Sequence, residues 1–128
     1  MKSKTKVVVA LVAAFGLGGA VMQALHAQSK AKAIYVVAEI DVSNVDAYTK
    51  EYAPKAQALI KKSGGQLLAA GQNVKGYEGT PPAKRVAIQR WDSVEQYMKY
   101  RNSAEFKENR KVGDKYAKFR AISVEALN

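Results

Sequence analysis

Ile34-Tyr35-Val36-Val37-Ala38-Glu39-Ile40-Asp41 reads as a β-strand, because the stretch is rich in β-branched residues. Alternation divides it into two unlike faces. Ile34, Val36, Ala38 and Ile40 form a wholly apolar face, whereas Tyr35, Val37, Glu39 and Asp41 form a mixed one. Toward the C-terminus, Ser43 with Asp46 resembles a capping box, Asp standing where Glu or Gln is usual, and predicts a helix to about Ser63. Val45, Tyr48, Tyr52, Ala56, Leu59 and Ile60 recur at helical spacing as one buried stripe. Pro54 is expected to kink or divide that helix, and Gly64-Gly65 to stop it.

Gln66 to Gln72 then reads as a short strand. Val74 to Lys84, with Gly76, Gly79, Pro81 and Pro82, reads as the loop of a hairpin, and Arg85 to Trp91 as the third strand. Ser93 with Gln96 is a capping-box pattern opening a second helix that carries Val94, Tyr97, Met98 and Arg101 on one side. Ser103 is placed to cap a further segment containing Phe106 and Tyr116, with Gly113 as its weak point. Arg120 to Ala126 closes the chain as a fourth strand. The order β-α-β-β-α-β predicts an α+β fold of the ferredoxin-like type, a four-stranded antiparallel sheet with its helices on one face. The other face is bare. Carrying Tyr35, Val37 and Trp91, it would be an apolar patch of the kind soluble monomers avoid, so a symmetric dimer, sheet against sheet, is expected.

Toward the N-terminus, Lys2, Lys4 and Lys6 precede an uncharged run from Val7 to Met22, and Ala24-Leu25-His26-Ala27 offers a small-residue cleavage point. That is the pattern of a secretory signal peptide over residues 1–27. An uncleaved membrane anchor is the rival reading, although the run is slightly short for a span and Gly16, Gly18 and Gly19 weaken it as a helix. Cleavage leaves a short polar lead-in, residues 28–33, and one ferredoxin-like domain over residues 34–128. The expected location is periplasmic or secreted, in a bacterium.

The chain has no cysteine, and its one histidine, His26, lies in the leader. No disulfide staples the fold, haem ligation through histidine is excluded once the leader is removed, and only oxygen ligands are left for a metal. No cofactor is expected. A formal net charge of +10 would ordinarily raise nucleic acid as a partner, but export and the interleaving of the charges argue against it. The densest basic stretch runs from Lys99 to Arg120. It reads as a solvated helical surface or, more sharply, as a face drawn to anionic ligands or membranes. Membrane contact is expected only through that face or an uncleaved leader. Gly71-Gln72-Asn73-Val74-Lys75-Gly76 is no phosphate loop, since it precedes a strand and not a helix.

Among possible site residues Glu39 stands out, because it shares its strand face with Tyr35 and Val37. A partly desolvated carboxylate there suits a general base or a donor-binding group, or else a rim residue paired with an arginine. Arg85 and Arg120 open the third and fourth strands and are its candidate partners, or the anchors of an anionic ligand. Trp91, Tyr35 and Tyr48 suit a pocket for a flat or apolar molecule. Tyr48 and Tyr52 read equally as core, and Trp91 as a dimer anchor.

Tyr35-Val36-Val37-Ala38-Glu39-Ile40, Tyr48, Gly64-Gly65, Glu78-Gly79 and Arg85-Val86 together resemble the domain of unknown function 1330 family. So do Trp91-Asp92-Ser93, Asn102-Ser103-Ala104-Glu105-Phe106 and Phe119-Arg120, and the likeness spans about residues 34 to 126. The resemblance implies a dimeric α/β barrel in which two sheets enclose a pocket. Its superfamily includes cofactor-free monooxygenases, isomerases and haem-binding enzymes, but the family has no established reaction and so no catalytic residues to carry over. The expected function is binding of a small apolar or anionic molecule between paired sheets. The alternative is a cofactor-independent isomerase or monooxygenase with Glu39 as general base and Arg85 and Arg120 as substrate anchors.

Overall fold

The computed structural model describes residues 31–128. The leader expected over residues 1–27 lies outside the described residues. The elements are β1 (Ile34–Val42), α1 (Val45–Ala47), a wide π-type turn (Tyr48–Tyr52), α2 (Ala53–Lys62), β2 (Gln66–Gly71), β3 (Arg85–Trp91), α3 (Val94–Arg101), α4 (Ala104–Asp114) and β4 (Ala117–Glu125). They build one antiparallel sheet in the order β2-β3-β1-β4, with helices on one face, which is the ferredoxin-like arrangement. Among the described residues no helix is long and apolar enough to cross a membrane.

Register decides which side chains meet. β1 pairs with β3 so that Ile34 faces Trp91, Val36 faces Gln89, Ala38 faces Ala87 and Ile40 faces Arg85. Residues directly opposite each other share a face, so Trp91 lies with Ile34 under the helices and not with Tyr35 on the open side. It is completely buried. The expected placement of Trp91 beside Tyr35 and Val37 is thereby corrected. The open face carries instead Tyr35, Val37 and Glu39 from β1, Val86, Ile88 and Arg90 from β3, and Arg120, Ile122 and Val124 from β4. β4 begins at Ala117, three residues before the expected start.

Local chemistry explains the helix boundaries. Asn44, not Ser43, caps α1: its Oδ1 accepts from the Ala47 N–H at 3.1 Å, while the Ser43 hydroxyl donates to the Tyr116 carbonyl at 3.0 Å. Pro54 has no N–H to give, and the chain accommodates it with the wide turn just upstream, where the Ala53 N–H reaches back to the Tyr48 carbonyl. Ser93 and Ser103 cap α3 and α4 as expected, accepting from the Gln96 and Phe106 N–H groups at 3.1 Å each. In α3 the expected apolar side is only partly buried. Val94 and Met98 are exposed and Tyr100 takes the buried position.

The core divides into two clusters. Ile34, Val36, Leu59, Ile60, Trp91, Tyr100 and Phe106 form one, and Ile40, Tyr48, Tyr52, Ala53, Ala87 and Ala117 the other. Each fully buried large side chain is worth roughly 1.5–3 kcal/mol. Two glycines permit the close approaches. A Cβ on Gly65 would sit 2.6 Å from the Trp91 indole, and one on Gly113 would sit 2.6 Å from the Tyr52 ring. Gly113 therefore lies inside α4 as a packing requirement and does not break it.

Gly65→Ala should destabilise the fold by about 1–3 kcal/mol, the usual range for overpacking. Gly71→Ala, whose Cβ would meet nothing within 4 Å, is the control. Equal urea midpoints for the two variants would show that the indole does not need the glycine.

Candidate functional site

The best-formed cavity lies on the helix side of the sheet, between the inner face of β1 and β3 and the chain from Tyr48 to Ile60. Its apolar walls come from Ile40, Ala87, Ala53 and Ile60, its rim from Leu67 of β2, and its aromatic wall from Tyr48, Tyr52 and Phe119. Tyr48 and Tyr52 stand 5.2 Å apart, centroid to centroid, because the wide turn ahead of Pro54 presents both to the sheet. Tyr52 and Phe119 stand 5.3 Å apart. The cavity measures about 60 Å³ and opens to solvent, room for a small organic molecule.

Two arginines give this apolar space its chemistry. Arg85 enters from β3, its guanidinium carbon 5.1 Å from the Tyr48 ring centroid. Arg110 enters from α4, 3.9 Å from the Phe119 centroid and 4.8 Å from that of Phe106, and its Nε donates to the Tyr52 hydroxyl at 3.3 Å. Neither has a carboxylate partner among the described residues, and no acidic residue lines the cavity. Stacking on a ring engages the flat face of a guanidinium and leaves in-plane N–H donors available. Gln89, also at the cavity, is buried and accepts from Trp91 Nε1 at 2.9 Å.

Burial pushes the Tyr48 hydroxyl above its ordinary range, although Arg85 pulls it back down. Tyr100, at the far end of the cavity, is raised further, again chiefly by burial. Both therefore present neutral hydroxyls at neutral pH.

The expected site residues fall on two sides of the sheet. Tyr48 and Arg85 line the helix-side cavity. Glu39 and Arg120 meet on the open side, where Arg120 Nη1 donates to Glu39 Oε2 at 2.9 Å, beside an open hollow that includes Pro81, Pro82 and Lys118. Arg85 does not join them. Tyr35 and Val37 are half-buried on the same open face. Trp91 lines no cavity described here, since Tyr97, Tyr100 and Gly65 enclose its ring. Arg110, Gln89, Tyr100 and Phe119 were not singled out from the sequence as site residues. The available signal was the spacing of Phe106, Arg110 and Gly113, which puts the arginine on the buried side of α4. Among the described residues no three acidic, histidine or cysteine side chains gather to hold a metal ion.

Comparison with known proteins supports the fold. The family model for the domain of unknown function DUF1330 matches residues 33–127. No curated protein matches significantly. A protein of unknown function from Rhodopseudomonas palustris is similar at 16% identity, with 76% of this chain and 84% of that one covered and a TM-score of 0.60. SnoaB, a cofactor-independent oxygenase from Streptomyces nogalater, is similar at 12% identity, 77% and 96% coverage and a TM-score of 0.57. A dimeric protein of unknown function with a ferredoxin-like fold from Bacteroides fragilis is similar at 10% identity, 73% and 96% coverage and a TM-score of 0.52.

Raised tyrosine pKa values carry a sign. Below pH 10 both hydroxyls are neutral folded or unfolded. Above it, the unfolded chain ionises first and is favoured, so stability is lost as pH rises toward the folded-state values. Urea midpoints should therefore fall between about pH 9 and about pH 11, and Tyr48→Phe should flatten part of that slope. An unchanged slope in Tyr48→Phe would remove Tyr48 from the account.

Proposed function

The chain belongs to the DUF1330 family, and on that premise we propose that it binds a small organic anion in the cavity between sheet and helices. The observation that carries this reading is the pair Arg85 and Arg110, stacked on aromatic rings with no carboxylate partner among the described residues. Two like charges facing one apolar space repel each other, and a carboxylate between them relieves the repulsion. The cavity's volume of about 60 Å³ suits a short carboxylate such as acetate or propionate. This site differs from a pocket between paired sheets. It also leaves Glu39 on the far side of the sheet, held by Arg120, where it is no base for a reaction in the cavity.

Titration with propionate, followed by amide and tyrosine-ring NMR shifts, should move resonances of Tyr48, Tyr52 and Arg110, while propanol should not. Arg85→Gln should weaken propionate about tenfold, the loss of one charge-assisted contact. Equal shifts with propanol would sink the reading.

The same proposal includes export and self-association. Residues 1–27 serve as a cleaved leader, and the open face of the sheet pairs with a second copy. Ile122 and Val124 support the pairing, being 55% and 63% exposed on the edge strand beside half-buried Tyr35, Val37 and Ile88. Native mass spectrometry of the protein recovered from the periplasm should give a dimer of residues 28–128, and Ile122→Lys with Val124→Lys should give the monomer. A monomer without these substitutions would overturn the pairing, and an intact leader would overturn the cleavage.

A further inference from the structure

Outside the wall of that cavity lies a second space. The groove between α3, α4 and the edge strand β4 measures about 230 Å³ and is lined by Tyr97, Met98, Arg101, Arg110, Phe119 and Ile122, among others. Arg110 and Phe119 belong to both spaces, so their stack at 3.9 Å is the partition. Arg101 belongs to the groove alone. Its Nη1 donates to the Tyr97 hydroxyl at 3.2 Å, and its guanidinium carbon lies 5.1 Å from the Phe106 ring centroid, the ring that Arg110 also approaches.

We infer that this groove is a binding site for an amphipathic carboxylate, its head held by Arg101 and Arg110 and its chain laid along Met98 and Ala121. Three features point to that class. No acidic residue lines the groove, and neither arginine is paired with a carboxylate among the described residues, so two cations share one aromatic ring uncompensated. The rest of the lining is largely apolar, and it includes Met98, 43% exposed, with Phe119 and Ala121 on the helix side of β4, where a chain can lie. The groove has nearly four times the volume of the inner cavity and suits a longer molecule. It shares Arg110 with the small-anion reading, but the two are separable, because Arg85 lines only the inner cavity and Arg101 only the groove.

The test is calorimetric titration of the full chain with octanoate, with octanol as the uncharged control. Octanoate should bind, and octanol about tenfold or more weakly. Arg101→Gln should weaken octanoate about tenfold or more, since one guanidinium contact to a carboxylate is lost. Met98→Glu, at an exposed position where folding is not at stake, should do the same by placing a like charge in the groove. Arg85→Gln should leave octanoate binding unchanged. The inference is overturned by any of three results: no octanoate binding up to about 10 mM, unchanged binding in Met98→Glu, or loss of binding in Arg85→Gln with retention in Arg101→Gln. The last would seat the molecule in the inner cavity.

Discussion

The indole of Trp91 against the backbone of Gly65 is the contact on which the rest of the molecule depends. It joins the end of β3 to the corner where α2 turns into β2, and there is no room for a side chain between them. Trp91 has no exposed surface, and Tyr97, Tyr100, Ile34 and Val36 gather around it. Seating that ring under the helices fixes the parity of β3. Pairing with β1 then sends Arg85, Ala87 and Gln89 inward and Val86, Ile88 and Arg90 outward. Because β1 lies between β3 and β4, one choice of parity propagates across the sheet.

That parity is costly to hydrophobic burial and favourable to site chemistry. The inward residues of β3 include an arginine and a glutamine, while two β-branched residues point out. Gln89 is tolerated because it accepts from the indole N–H, which would otherwise be a buried donor without a partner. Arg85 is tolerated because its guanidinium lies over the Tyr48 ring at the cavity. Arg110 repeats the arrangement from the opposite wall, on Phe119. Aromatic faces thus hold cations that no carboxylate among the described residues neutralises.

Much of the fold was legible from local pattern. The alternation of β1, the bounds of β3 and the serine caps of α3 and α4 depend on residues within a few positions of each other, and they appear as the pattern dictates. Asn44 displaced Ser43 as a cap because the Ser43 hydroxyl has a distant partner, the Tyr116 carbonyl, that local spacing cannot reveal. Gly113 looked like a break in a helix for the same reason. Its role is set by Tyr52, far away in sequence. The candidate site was legible only in part. Tyr48, read as pocket or core, and Arg85, read as a partner of Glu39 or an anchor for an anion, both line the helix-side cavity, whereas Arg110 was read as one charge among the many of the Lys99 to Arg120 stretch.

The face of β3 explains why. Judged by hydrophobicity alone, Val86 and Ile88 belong inside and Arg85 and Gln89 outside, and that choice would have left Trp91 exposed with Arg85 and Gln89. A single residue settles the conflict, because exposing the indole would forfeit its burial and the Gln89 hydrogen bond, whereas Val86 and Ile88 stay half-buried on the open face. A strand whose inner face is more polar than its outer face therefore carries two messages at once. The polar residues turned inward line the helix-side cavity at a cost in packing, and the apolar residues turned outward leave an exposed patch on the open face.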